Sequence, residues 1–374
     1  MLHLLRRVSR PRVTLASTLQ APAPQGRHSA PTWALNYLRA ARAFAVSSVN
    51  MSKPRVLVTR ADIPEKALVM LKEKCEVDVW KMSSPITREE LLKRIPGTNG
   101  LYCLLTEKID KELLDAAGPS LKVIGTMSVG YDHLSMDEIK KRNIKVGYTP
   151  GVLTDATAEL TVTLLLATTR RLFEAHSELL NGGWAKCAWS PLWMTGWGLK
   201  GSTVGVFGLG RIGQGVVRRL QGFSVQKFIY SGRSPKKEGE ELGAEFVSFD
   251  ELLRQSDFIL VTCAMNKETQ GIFDDAAFAK MKKTAIIVNT SRGGVINQEA
   301  LIKALKTNQI RGAGLDVMTP EPLPPTHELT TLPNCTLLPH IGSAETQTRE
   351  DMATLTAANI IAGLEDQPLP ARLC

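Results

Sequence analysis

The stretch Ser202-Thr203-Val204-Gly205-Val206-Phe207-Gly208-Leu209-Gly210-Arg211-Ile212-Gly213 is an apolar run that breaks into three spaced glycines. A helix-compatible pattern follows over residues 214–220. Strand, glycine turn and helix in that order are the context a dinucleotide-binding turn requires. Gly208 permits the tight turn, Gly210 lets the backbone approach a pyrophosphate, and Gly213 lets the helix pack close to the strand. The unpaired amides at the helix start, around Arg211 and Ile212, and the positive end of its dipole would meet the anion. Alone the pattern is weak, and its neighbours decide what it means.

About twenty residues beyond such a turn an Asp or Glu usually holds the ribose. Tyr230-Ser231-Gly232-Arg233-Ser234-Pro235-Lys236 instead offers Arg233, Lys236 and two hydroxyls. Cations suit a 2′-phosphate, so the expected cofactor is NADPH, with NADH a weaker alternative. A basic surface loop is by itself more often a solvated face.

Outward from this turn the chain extends to 374 residues, beyond the usual single-core limit, so two domains are expected. Its formal charge is +9, but Arg6, Arg7, Arg10, Arg12, Arg27, Arg39 and Arg42 fall in residues 1–50, where there is no Asp, Glu or Lys. The remainder therefore carries only +2, with no electrostatic footprint for nucleic acid. The leader, residues 1–52, has the composition of a mitochondrial transit peptide, and Met51 could itself start a complete enzyme, so cytoplasmic and mitochondrial locations are both expected. Cys75, Cys103, Cys187, Cys263, Cys335 and Cys374 form no CxxC pair, which fits neither a zinc site nor a disulfide framework. No metal is expected, and no apolar run reaches the length of a membrane span.

Apolar runs at 56–59, 77–80, 100–105, 123–127 and 146–148 alternate with helix-like segments, and a second such series occupies 203–207, 227–230, 258–262, 285–289 and 313–317. This alternation predicts two Rossmann-like or flavodoxin-like α/β domains with parallel sheets. A long helix over 154–171 stands between them as a candidate hinge. Ser248-Phe249-Asp250-Glu251 reads as a capping box, and 346–364 as an amphipathic helix that could return to the first domain. The expected boundaries are 53–153 plus 341–374 for a substrate domain and 154–340 for the cofactor domain.

Three segments lie at or beyond strand ends in the cofactor half, where open α/β sheets place ligands. Asn289-Thr290-Ser291-Arg292-Gly293-Gly294 offers a guanidinium that can grip a carboxylate through two hydrogen bonds. In Leu315-Asp316-Val317-Met318-Thr319-Pro320-Glu321-Pro322 two prolines restrict the backbone around Glu321. Leu337-Leu338-Pro339-His340-Ile341-Gly342-Ser343 delivers a histidine beside glycine. A carboxylate beside the imidazole favours its charged form, an acid usable near neutral pH. A lone histidine is more often structural, but an Arg, a Glu and a His together at strand ends are not easily dismissed.

GLGRIG, NTSRGG, LDVMTPEP and LLPHIGS together resemble the D-2-hydroxyacid dehydrogenase family. MSVGYDHL, VGYTPGVLTDATAEL, NGGW and PLW are similar to its glyoxylate reductase/hydroxypyruvate reductase branch, and the likeness runs from about residue 54 to the C-terminus. The resemblance implies an active site in the cleft between the domains. It gives Arg292 the substrate's carboxylate and carbonyl, pairs Glu321 with His340, and makes His340 the proton donor. The amides of Val129 and Gly130 would hold the carboxylate, with Ser343 nearby. Asp316 and Thr290 would border the nicotinamide, near Gly342, and Arg233 to Lys236 match the loop that selects NADPH. In the family branch a Trp reaches the neighbouring subunit's site, which implies a homodimer. Trp189 matches it best, but Ala185-Lys186-Cys187-Ala188 lengthens the loop, leaving Trp184 and Trp193 as competitors.

The expected reaction is NADPH-dependent reduction of glyoxylate to glycolate and of hydroxypyruvate to D-glycerate, with small 2-oxoacids and 2-hydroxyacids as the only partners besides a second copy. Neither nucleic acid nor membrane is expected. The alternatives are a D-lactate or phosphoglycerate type of dehydrogenase, or a dinucleotide-sensing corepressor of the same fold.

Overall fold

The computed structural model describes residues 53–82 and 84–374. The basic leader, with the expectation of a targeting role, lies outside the described residues. Strands and helices first alternate as β1 (Arg55–Val58), α1 (Glu65–Lys74), β2 (Glu76–Val79), α2 (Arg88–Arg94), β3 (Gly100–Cys103), α3 (Lys111–Ala117), β4 (Val123–Thr126), α4 (Met136–Lys141) and β5 (Lys145–Gly147). All pairs are parallel, in the order β2-β1-β3-β4-β5, which is the flavodoxin-like winding.

Next come α5 (Thr154–Thr169), α6 (Leu172–Leu180) and α7 (Gly183–Cys187). The second series is β6 (Thr203–Phe207), α8 (Arg211–Leu220), β7 (Lys227–Ser231), α9 (Lys237–Glu241), β8 (Ala244–Phe246), α10 (Phe249–Gln255), β9 (Phe258–Val261), α11 (Asp275–Lys280), β10 (Ile286–Asn289), α12 (Gln298–Lys306), β11 (Gly312–Leu315), β12 (Cys335–Leu337) and α13 (Thr346–Leu364). Its sheet runs β12-β11-β10-β9-β6-β7-β8, all parallel, the dinucleotide-fold order extended by a seventh strand. Every residue of β3, β4, β9, β10 and β11 is buried, as parallel strands covered on both faces require. Ser248 and Glu251 do form a capping box at the start of α10.

Two sequence expectations change. The helix expected over 154–171 stops at Thr169, because Arg171 turns into the left-handed region at φ +54° and starts α6. The segment at 346–364 forms α13 but is not amphipathic, since Met352 through Gly363 are all buried. It packs against β3, β4, β5 and α1, so the last long helix covers the first sheet. Small residues let it approach: a Cβ on Gly125 would stand 2.7 Å from Ile360, and one on Gly147 would stand 2.4 Å from Asn359. Asn359 is buried yet satisfied, donating to Tyr148 O at 3.1 Å and accepting from Ala371 N at 2.8 Å.

Candidate active site

The glycine turn sits where the second sheet reverses its winding, between β7 and β9. Gly208 adopts φ +99°, and a Cβ there would lie 2.5 Å from Cys263 Cα, so no side chain fits. Its N–H donates to Ser231 O at 2.9 Å, and Thr262 Oγ1 donates to its carbonyl at 2.8 Å. At Gly213 a Cβ would meet Gly208 O at 2.6 Å, which explains the close helix approach. Gly210 is different: a Cβ would meet nothing within 4 Å. This residue caps α8 with no side-chain hydrogen bond, leaving an open face at a helix N-terminus that a side chain would fill. The cradle fits a pyrophosphate.

Beyond β7, Arg233, Ser234, Pro235 and Lys236 are all exposed. Tyr230 Oη anchors the loop by accepting from Lys236 N at 2.7 Å. Among the described residues, neither Arg233 nor Lys236 has a carboxylate partner.

Glu321 and His340 meet as the sequence predicts: His340 Nδ1 donates to Glu321 Oε2 at 2.6 Å, leaving Nε2 as the ring's other nitrogen. Glu321 Oε1 accepts from Met318 N at 2.9 Å. Burial pushes the Glu321 carboxyl up, but the His340 bond and charge more than offset it and hold it below the ordinary carboxylate range. His340 stands at φ +54°, uncommon for a side-chain-bearing residue, with its N–H tied to Asp316 O at 2.8 Å.

Arg292 follows β10 and reaches the loop that leaves β4 in the other sheet. A Cβ on Gly130 would fall 1.7 Å from Arg292 Nη2, so the guanidinium lies against the glycine itself. Arg292 Nε donates to Asp132 Oδ1 at 2.9 Å, and Nη1 donates to Ser291 O at 2.9 Å. Among the described residues, the N–H groups of Val129 and Gly130 donate to no protein group. They form a pair of free amides beside a guanidinium, which is an anion-binding arrangement.

Asp316 is fully buried; Oδ1 accepts from Ile341 N at 2.8 Å, while Oδ2 has no partner. Burial raises its carboxyl above the ordinary range. A Cβ on Gly342 would stand 3.1 Å from that free oxygen, so this glycine leaves the acceptor approachable. Thr290 is buried, with Oγ1 2.7 Å from Thr161 Oγ1. Ser343 O accepts from Arg349 Nε at 3.0 Å. The tryptophans are not brought in: Trp189 is 82% and Trp184 53% exposed, and Trp193 is half-buried.

Residues the sequence reading did not single out complete the site. Thr126 Oγ1 lies 2.8 Å from Ser128 Oγ and 3.0 Å from His133 Nε2, and Ser128 Oγ donates to Gly130 O at 2.7 Å. Burial pushes the His133 imidazole down to about 4, so its ring is neutral. Asp132 and His133 stand one residue beyond the Val129-Gly130 turn, after Tyr131, and an acid and an imidazole in that place were the available signal.

Residues 162–342 match the family model for the D-isomer specific 2-hydroxyacid dehydrogenase, NAD binding domain. The chain is 57% identical over 300 residues to glyoxylate reductase/hydroxypyruvate reductase of Mus musculus, covering 80% of this chain and 91% of that protein. Identity to the Homo sapiens protein of the same name is 54% over 322 residues, covering 85% and 97%. Among solved structures, an NADPH-dependent glyoxylate/hydroxypyruvate reductase from Sinorhizobium meliloti, in complex with NADP and malonate, is similar at a TM-score of 0.76. It is 31% identical, with 86% of this chain and 97% of that one covered. A dinucleotide cradle at one sheet's reversal point and a charged cluster facing it thus have a common explanation: the chain is an oxidoreductase belonging to the D-isomer specific 2-hydroxyacid dehydrogenase family.

Proposed function

We propose that the protein reduces glyoxylate to glycolate and hydroxypyruvate to D-glycerate with NADPH. The observation that carries this reading is Arg292 lying on Gly130 beside two free amides, with the His340–Glu321 pair nearby at the ends of the same sheet's strands. A bound nicotinamide supplies the hydride. Arg292 and the Val129 and Gly130 amides hold the 2-oxoacid's carboxylate and so fix which carbonyl face is presented. His340 holds a proton for the carbonyl oxygen, and Glu321 stabilises the charged ring that carries it. Gly208, Gly210 and Gly213, with the amides around Arg211 and Ile212, would hold the pyrophosphate. The buried, partnerless Asp316 Oδ2 offers an acceptor for a carboxamide N–H, with Thr290 and Gly342 alongside.

NADPH over NADH is supported by Arg233 and Lys236, cations with no carboxylate partner among the described residues, in the loop that normally holds a ribose. The names of the mouse and human relatives support the substrates. The packing of α13 on the first sheet and of α5 on α8 and β10 to β12 supports domains at 53–153 plus 341–374 and at 154–340. Steady-state rates for a panel of 2-oxoacids, each with NADPH and with NADH, test the reading. Glyoxylate and hydroxypyruvate are expected to lead with NADPH, and a preference for NADH or for pyruvate overturns it.

A homodimer belongs to the same proposal. Phe173, Leu180, Trp184, Trp189, Leu192 and Trp197 are all exposed within one short segment, and clustered exposed apolar side chains mark association surfaces. A cavity of about 750 Å³, lined in part by Phe173, Trp197, Arg311 and Cys335, opens beside that segment at the N-terminal ends of β10 to β12, away from Arg292 and His340. A monomer in light scattering would remove this part. Residues 1–50 are proposed to direct a mitochondrial pool, with initiation at Met51 giving a cytoplasmic one. Imaging fusions begun at each methionine tests it, and cytosolic signal from both sinks it.

A further inference from the structure

We propose that Asp132 is a positioning residue: by holding Arg292 Nε from the opposite side of the cleft, it aims the guanidinium's remaining edge at the Val129-Gly130 turn. The inference rests on the reading of Arg292 as the carboxylate's partner and adds to it the group that orients it.

A guanidinium has five N–H donors in a fixed plane, so fixing two nitrogens fixes the third. Asp132 Oδ1 takes Nε at 2.9 Å, and Ser291 O takes Nη1 at 2.9 Å. Nη2 is what remains, and it is the atom that lies where a Gly130 Cβ would be. The free donors of Arg292 therefore lie against the Val129-Gly130 turn, whose amides have no protein acceptor among the described residues. Asp132 belongs to the loop after β4 and Arg292 to the loop after β10. Among the described residues theirs is the one ion pair that joins loops of the two sheets. Arg292 is 20% and Asp132 29% exposed at the side chain, so water screens the pair only in part. Burial pushes the Asp132 carboxyl up, and the Arg292 charge and hydrogen bond more than offset it, which keeps the aspartate ionised. The loop beneath is itself held: Ser128 Oγ donates to Gly130 O, and Thr126 links Ser128 to His133. Asp132 also neutralises Arg292 in part, so substrate recognition depends on where the guanidinium points and not on bare positive charge.

The test titrates oxamate, a non-reducible 2-oxoacid analogue, into the NADPH-loaded protein by calorimetry, alongside turnover. The proteins are wild type, Asp132→Ala, Asp132→Asn, Arg292→Lys and the Asp132→Ala/Arg292→Lys double variant. Asp132→Ala is expected to weaken oxamate and raise the 2-oxoacid KM by roughly tenfold or more, the scale of a lost hydrogen bond to a charged group. NADPH affinity should stay within about twofold, since the hydrogen bond lost with Asp132 is to Arg292 and not to the glycine turn. Asp132→Asn keeps an acceptor for Nε and should recover most of the loss. In the Arg292→Lys background, which has no Nε donor, Asp132→Ala should cost little more, whereas a merely structural role would cost the same in both backgrounds. Oxamate affinity unchanged in Asp132→Ala, or equal losses in both backgrounds, overturns the proposal. Oxamate binding by a wild type that reduces neither glyoxylate nor hydroxypyruvate would sink the substrate reading alone.

Discussion

The two sheets bring different materials to one cleft, and their histidines show the difference best. The seven-stranded sheet presents charged side chains, with His340 bonded at 2.6 Å to the carboxylate of Glu321. The five-stranded sheet presents backbone amides and a chain of hydroxyls ending at His133, whose partner is the Thr126 hydroxyl and whose burial keeps it neutral. A carboxylate neighbour stabilises an imidazolium, whereas an apolar surrounding with a hydroxyl stabilises the neutral ring. One half thus offers an imidazole paired with a carboxylate, and the other offers backbone amides and a neutral ring.

Removing His340 should break this division most severely. His340→Ala is expected to lower kcat by roughly 10²- to 10⁴-fold, and a near-wild-type rate would take His340 out of the chemistry. Gly130→Ala probes the opposite side. The nearest atoms its Cβ would meet are all at the end of the flexible Arg292 side chain, so the fold should tolerate it while the guanidinium moves. A displacement of that kind costs about 10²-fold in kcat/KM, with Tm nearly unchanged. A large fall in Tm would show the glycine serving the fold instead.

Arg233→Ala leaves both histidines alone and should cost roughly 1.5–3 kcal/mol in NADPH affinity while sparing NADH. Equal losses would remove the selectivity role. The smallest effect concerns stability. His133 has a folded value of about 4 against an ordinary 6.5, so the unfolded chain binds the extra proton between those values. Its contribution is complete above pH 6.5 and lost as pH falls towards 4. His133→Asn should therefore abolish about 2 kcal/mol of the stability difference between pH 7.5 and pH 5, read from urea midpoints. An unchanged pH slope in the variant would mean that His133 is not buried neutral.

The parts legible in the sequence were those whose reason is local. Gly208, Gly210 and Gly213 each sit where a side chain would clash or close an open face, and Arg292, Glu321 and His340 all follow apolar runs that end in turns. Asp132 stayed hidden because its partner lies 160 residues away in the other sheet, and no periodicity connects them. His340's left-handed backbone was equally invisible, since nothing in the residue type announces it. β8, three residues from Ala244 to Phe246, is too short to carry a pattern. The mistake over α13 is instructive: hydrophobic residues on one face suggest amphipathicity, but a helix enclosed by a sheet and α1 buries Thr348, Thr354, Thr356 and Asn359 as well.

That enclosure bears on how the chain is made. The surface beneath α13, built from β3, β4 and β5, is complete at Gly147, whereas the helix that covers it ends at Leu364. At ribosomal speeds of roughly 5–20 residues per second, the nascent first sheet waits on the order of ten to forty seconds for its lid. During that interval an apolar face lined by Gly100, Gly125 and Gly147 is open to chaperones, and a ribosome that stalls late in the message would hold a finished cofactor half beside an uncovered first sheet.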